Sequence, residues 1–172
     1  MKKVVLSRIL LVLAFISIAS IYTSVAQKNN FVPSKNDGWL VSIEEAYALS
    51  DKTDRPILAN FTGSDWCGWC KKLKAEVFSK PEFKDWAKDN VVLLELDFPR
   101  RTKLPDEQAR QNYELQKAFQ VSGFPTIWVF DLKRPQDSKQ FEIHAYGKTG
   151  YMQGGENAFI KNVQSMIAAS GK

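Results

Sequence analysis

The stretch PILANFTGSDWCGWCKK, residues 56–72, holds both cysteines of a 172-residue chain, Cys67 and Cys70, with two residues between them. Pro56 to Phe61 is a short apolar run bounded by turn residues, the pattern of a strand buried inside a sheet. Beyond it Cys70, Leu73, Val77 and Phe78 fall at helical spacing, which predicts a helix from Cys67 to about Phe78. The first cysteine therefore lies where a strand and its loop give way to a helix.

Downstream of that junction, Ser79 with Glu82 has the capping-box pattern and predicts a further helical piece reaching Lys88. The run VVLLELD, residues 91–97, is apolar almost throughout and predicts a second interior strand, parallel to the first and covered on both faces. Pro105 and Asp106 open a helix through about Phe119, with Leu115, Ala118 and Phe119 facing inward. After Ser122-Gly123-Phe124-Pro125 comes TIWVF, a third strand, and DLKRPQDSKQ then turns the chain into a fourth, Phe141 to Tyr146. Phe159, Ile160, Val163 and Ile167 form one face of a closing helix over about 156–169. Upstream of the quoted stretch, Ser42 and Glu45 cap a helix from Ile43 to about Ser50. The alternation of strands and helices predicts an α/β fold, a central mixed β-sheet flanked by helices with its last strand pair antiparallel.

The N-terminus reads as a secretory signal peptide. Lys2, Lys3 and Arg8 precede an apolar run from Ile9 to about Ala19, and Ser24-Val25-Ala26 supplies small residues for cleavage before Gln27. An uncleaved anchor is the rival, because no charge occurs between Arg8 and Lys28, but Ser17, Ser20, Thr23 and Ser24 weaken it. The expected organisation is thus a signal peptide over 1–26, a flexible leader over 27–38 and one domain over 39–172, exported to the periplasm or secreted. A membrane enters only if the N-terminal segment stays uncleaved. The formal charge of +5 falls to +2 once Lys2, Lys3 and Arg8 are removed, too little to argue for nucleic acid. Arg100, Arg101 and Lys103, the densest basic cluster, read as a solvated loop between Pro99 and Pro105.

Three chemistries compete for the cysteine pair. A structural staple closing so short a loop stabilises by roughly 2 kcal/mol, against about 3 for a 15-residue loop, so a purely structural bridge gains more elsewhere. A zinc site needs four ligands, and beyond Cys67 and Cys70 only His144 is on offer, in a strand-like alternation. Covalent haem needs a histidine directly after the second cysteine, where Lys71 stands. We therefore expect no metal and no cofactor, although two-coordinate Cu(I) stays open because thiolates suit a soft ion.

Thiol–disulfide exchange is the third chemistry. Two cysteines one helical turn apart can close on each other, and the first lies near the unpaired N–H groups of the helix start. Those favour a thiolate, which lowers the pKa from about 8.5 for a free cysteine. Cys67 is then the nucleophile and Cys70, shielded one turn deeper, the resolving thiol. Trp66 and Trp69 add apolar, partly exposed area suited to an extended peptide, though Trp66 reads equally well as simply packed.

WCGWCKK after PILANF, LELD in the next strand and VSGFPTIWVFD downstream resemble the thioredoxin-like superfamily, especially its exported members with tryptophan before the cysteine pair. The resemblance implies a thioredoxin-like fold over roughly Trp39 to Ala169. It also implies a cis peptide bond before Pro125, whose loop faces the cysteines and leaves the Phe124 backbone free to pair with a substrate strand. Trp66, Trp69, Phe124 and Pro125 are accordingly the candidate substrate-binding residues. Thioredoxins proper carry a buried aspartate on the strand before the cysteines as a proton relay; this chain has Asn60 and Phe61 there, and its loop is one residue longer. Glu95 is the substitute acid, unless it faces solvent at a strand edge.

The function so implied is reduction or exchange of disulfides in envelope or secreted proteins. The partners are protein disulfides and an unidentified redox partner, and with no dedicated dimerisation segment the chain is expected to be a monomer. A non-catalytic binding module or a Cu(I) carrier on the same scaffold is the alternative.

Overall fold

The computed structural model describes residues 30–136, 138 and 140–171. The expected signal segment and leader residues 27–29 lie outside the described residues. Helix α1, Ile43–Thr53, leads to strand β1, Ile57–Thr62, and then to α2, Gly68–Leu73. A π-helical turn, Lys74–Phe78, continues α2 before α3, Pro81–Asn90. Strand β2, Val92–Asp97, is followed by α4, Asp106–Ala118, the strands β3, Thr126–Lys133, and β4, Glu142–Thr149, and finally α5, Gly155–Ala169.

The four strands form one mixed sheet in the order β2-β1-β3-β4, with β1 parallel to β2, and β3 antiparallel to both β1 and β4. Every residue of β1 is buried, as its unbroken apolar run requires of an inner strand covered on both faces. Because strand side chains alternate, Ile57, Ala59 and Phe61 join Val92, Leu94, Leu96, Phe119 and Phe130 on one face, under α1. Leu58 points the other way, into a cluster with Leu73, Phe78, Phe83 and Phe159 from α2, the π turn, α3 and α5. Asn60 and Glu95, paired in register, share that second face by the same alternation. Phe78, Phe83 and Phe159 meet with ring centroids 5.0–6.0 Å apart, an aromatic knot beneath the helix that starts at the cysteines.

Several expectations change in detail. The predicted helix over 67–78 is α-helical only to Leu73; Ser79 then donates its N–H to the carbonyl of Lys74 at 2.9 Å, five residues back, which widens the turn. Ser79 thus ends the π turn instead of capping α3, whose cap is Lys80, with no side-chain hydrogen bond and Pro81 at the first helical position. In α4 Ala118 is exposed, whereas Gln108 and Asn112 are buried. Their amides explain the burial: Gln108 exchanges two hydrogen bonds with the Val32 backbone, and Asn112 donates to the Asp97 carbonyl. The described part of the leader is therefore tied to the domain, and Leu40 extends the tie by exchanging two backbone hydrogen bonds with the outer edge of β2.

Candidate active site

The chain leaves β1 through a tight turn in which the Gly63 carbonyl accepts the N–H groups of Trp66, at 3.3 Å, and Cys67, at 2.8 Å. Cys67 then takes the N-cap of α2 with extended backbone, and its Sγ accepts the N–H of Cys70 at 3.1 Å. The two sulfurs are bonded to each other, with Cα atoms 5.3 Å apart. Both cysteines are buried to nearly the same degree, 6% and 5% exposed, yet neither belongs to the two apolar clusters. Unequal exposure does not distinguish them in this oxidised state; the cap hydrogen bond to Sγ of Cys67 does.

Parallel strands release their chains at the same end, so the loop after β2 meets the cysteine turn. The Asp65 carboxylate accepts the backbone N–H groups of Arg100 and Arg101 at 2.7–3.1 Å, and those bonds hold its pKa below the usual value. Ser64 gives its N–H and hydroxyl to the two oxygens of Asp97, and Trp66 donates Nε1–H to the Phe98 carbonyl at 2.8 Å. Arg100 lies over the Trp66 ring, 3.7 Å from its centroid. Trp66 is accordingly half-buried and packed, one face under a guanidinium.

The bond between Phe124 and Pro125 is cis. Phe124 meets the Trp66 ring edge-on at 5.9 Å and lies 5.1 Å from Phe98, which brings the proline loop to the cysteine turn. Trp69 is different: it is 57% exposed, resting on Tyr151 at 5.1 Å. Lys72 sits over both rings, and the Tyr151 hydroxyl beside it raises its pKa. Glu95 is buried, not solvent-facing. Its carboxylate accepts from the Ser34 hydroxyl and the Asn36 amide of the leader. Burial pushes its pKa up, only partly offset by those two bonds. Beside it the Oδ1 of Asn60 is buried with no hydrogen-bond partner.

Sequence reasoning singled out Cys67, Cys70, Trp66, Phe124 and Pro125, and the fold brings them together. It missed the roles of Asp65, Asp97 and Arg100. The signal was the predicted parallel pairing, which puts the segments after both strands at one end of the sheet. His144 stands exposed on β4.

A dithiol pair that closes within one turn, with one sulfur accepting a helix N-terminal N–H, serves thiol–disulfide exchange. Fold and site together define a thiol–disulfide oxidoreductase. A family model described as a thioredoxin-like domain matches residues 43–139. The chain is 32% identical over 141 residues to the disulfide bond reductase DsbH of Chlamydia pneumoniae, spanning 82% of this chain and 79% of that protein. The thioredoxin-related protein DsbJ of the same organism is 25% identical over 130 residues, which cover 75% of this chain but 36% of DsbJ. Among solved structures, a DsbH oxidoreductase superimposes with a TM-score of 0.68 at 32% identity, covering 78% of this chain and 87% of that one. A thioredoxin from Thermus thermophilus, at 19% identity and a TM-score of 0.52, covers 75% of this chain and 86% of its own and shares the fold. The chain belongs to the thioredoxin-like family.

Proposed function

We propose that the chain is exported behind a cleaved signal peptide, residues 1–26, and works as a monomer that reduces or exchanges disulfides in envelope or secreted proteins. The observation that carries this reading is the Cys67 sulfur at the N-cap of α2, accepting the Cys70 N–H and bonded to the Cys70 sulfur. In the reduced protein the same N–H favours a thiolate at Cys67. The name of the relative DsbH, a disulfide bond reductase, supports the direction.

The Cys67 thiolate attacks one sulfur of a substrate disulfide. That bond breaks, the other substrate sulfur leaves as a thiolate, and a mixed disulfide remains. Cys70, deprotonated, attacks the Cys67 sulfur; the mixed disulfide breaks, the second substrate thiolate leaves, and the internal disulfide forms. Two electrons pass to the substrate, and a dithiol partner restores the pair. Glu95 serves as the proton acceptor for Cys70, supported by its burial on the sheet face that carries α2 and by its raised pKa. Phe124 and Pro125 present their backbone to the substrate, Trp66 walls the site and Trp69 offers an exposed ring.

Cys67→Ser abolishes turnover of a model protein disulfide such as that of insulin, while Cys70→Ser accumulates mixed disulfides visible by mass on non-reducing gels. Turnover by Cys67→Ser at the parent's rate overturns the reading.

A further inference from the structure

The loop between β2 and α4, with the first turns of α4, encloses an open cleft of about 600 Å³. Phe98, Leu104 and Tyr113 give it apolar and aromatic surface, and Arg100, Arg101 and Lys103 stand at it, all three exposed. The cleft adjoins the disulfide. The Phe98 carbonyl holds the Trp66 indole, the Phe98 ring packs on Phe124 next to the cis-proline, and Arg100 covers Trp66. It is also built firmly, since the three hydrogen bonds to Asp65 and the two from Ser64 to Asp97 fix its wall to the cysteine turn.

Its lining carries three cations against two carboxylates, Asp97 and Asp106, with Asp65 beside them, and the two arginines among those cations are not closely paired with the acids. Asp97 spends both oxygens on Ser64. Asp65 bonds the backbone, not the guanidinium, of Arg100 and Arg101, although the Arg101 charge also acts on it. Asp106 pairs with Lys103 at 3.1 Å, but those side chains are 89% and 85% exposed, so the pair is weak. Among the described residues neither arginine side chain closes an ion pair. Planar, permanently charged guanidinium groups over an aromatic floor match carboxylates carried on an extended chain.

We propose that this cleft receives an acidic, extended segment flanking the reactive cysteine of a substrate polypeptide. The inference rests on the oxidoreductase reading and names the substrate class of that site. Contacts made here lie away from the reacting sulfurs, so they hold the substrate disulfide over Cys67 and speed encounter in a salt-dependent way.

The test is single-turnover reduction by the pre-reduced full chain. The probes are two disulfide-linked peptides of equal length, one with glutamates and one with lysines flanking the cysteine, and neutral bis(2-hydroxyethyl) disulfide. The expected result is a rate constant about five- to tenfold higher for the glutamate peptide at low salt. That preference collapses at high salt and inverts in Arg101→Glu/Lys103→Glu, both residues being exposed, while the neutral disulfide is reduced at the parent's rate. Equal rates for the two peptides, or a lysine preference in the parent, overturn the cleft proposal and leave the oxidoreductase reading standing if the neutral disulfide is reduced. Failure to reduce any of the three overturns both.

Discussion

Gly63→Ala tests how the cysteine turn is held. Gly63 is buried, and a Cβ built on it would lie 2.5 Å from Cε2, 2.6 Å from Nε1 and 2.8 Å from Cζ2 of the Trp66 indole. Carbon contacts are comfortable only near 3.5–4.0 Å, so the ring must shift by about 1 Å. The ring has nowhere free to go: Nε1 is bonded to the Phe98 carbonyl, Arg100 covers a face and Phe124 meets it edge-on. Overpacking costs about 1–3 kcal/mol and the displaced indole hydrogen bond about 0.5–1.5 kcal/mol, a total of roughly 1.5–4.5 kcal/mol. With a urea slope of about 2 kcal/mol/M the midpoint falls by about 1–2 M, read by far-UV circular dichroism with the disulfide intact. Gly68→Ala is the control. Nothing lies within 4 Å of its Cβ position at the start of α2, so stability stays level or rises by up to about 1 kcal/mol. The Gly63 carbonyl also accepts the Cys67 N–H, so alkylation of the reduced Cys67 changes rate as well. A Gly63→Ala midpoint equal to the parent's refutes the claim that the indole is confined.

Burial holds the Glu95 carboxyl above its ordinary 4.5, so the folded protein binds that proton more tightly than the unfolded chain does. Its stabilising contribution is complete below about 4.5 and is lost as pH rises through the raised native value; Glu95→Gln removes this slope in denaturation curves taken from pH 4 to 8, and an unchanged slope contradicts the assignment. The Ser34 and Asn36 bonds lower the same pKa, so Ser34→Ala/Asn36→Ala drives it higher still; an NMR titration of the carboxyl carbon that moves downward counts against their role. Phe159→Ala empties the fully buried aromatic knot and costs about 3–5 kcal/mol in the same urea assay.

Strand-forming stretches announced themselves because β1 and β2 are inner or edge-covered strands whose apolar runs admit little else and imply a parallel pair, whereas the order β2-β1-β3-β4 came only with the structure. The cysteine junction was legible from the strand-to-helix change around two closely spaced cysteines, whereas the proline loop was legible only through the family resemblance of its motif. What escaped was polar. Arg100, Asp65 and Asp97 look like any solvated loop until two parallel strands deliver their loops to one place. Gln108 and Asn112 look like a wet helix face until the Val32 backbone and the Asp97 carbonyl arrive to satisfy them. The near-equal burial of the cysteines was equally hidden, since Cys67 sits at the N-cap, outside the helical periodicity that places Cys70 inward.

The widened turn at Lys74–Phe78 sets an angular relation between two jobs on one continuous helix. Cys70 must face the Cys67 sulfur while Val77 and Phe78 anchor in the aromatic layer beneath. Regular winding turns by about 100° per residue, and one surplus residue in the π turn absorbs the mismatch. With every residue retained, regular winding through this segment would instead rotate the redox pair about 100° away from its anchor. The segment works as a phase adjuster, and its winding, more than its chemistry, is what keeps the two jobs in register.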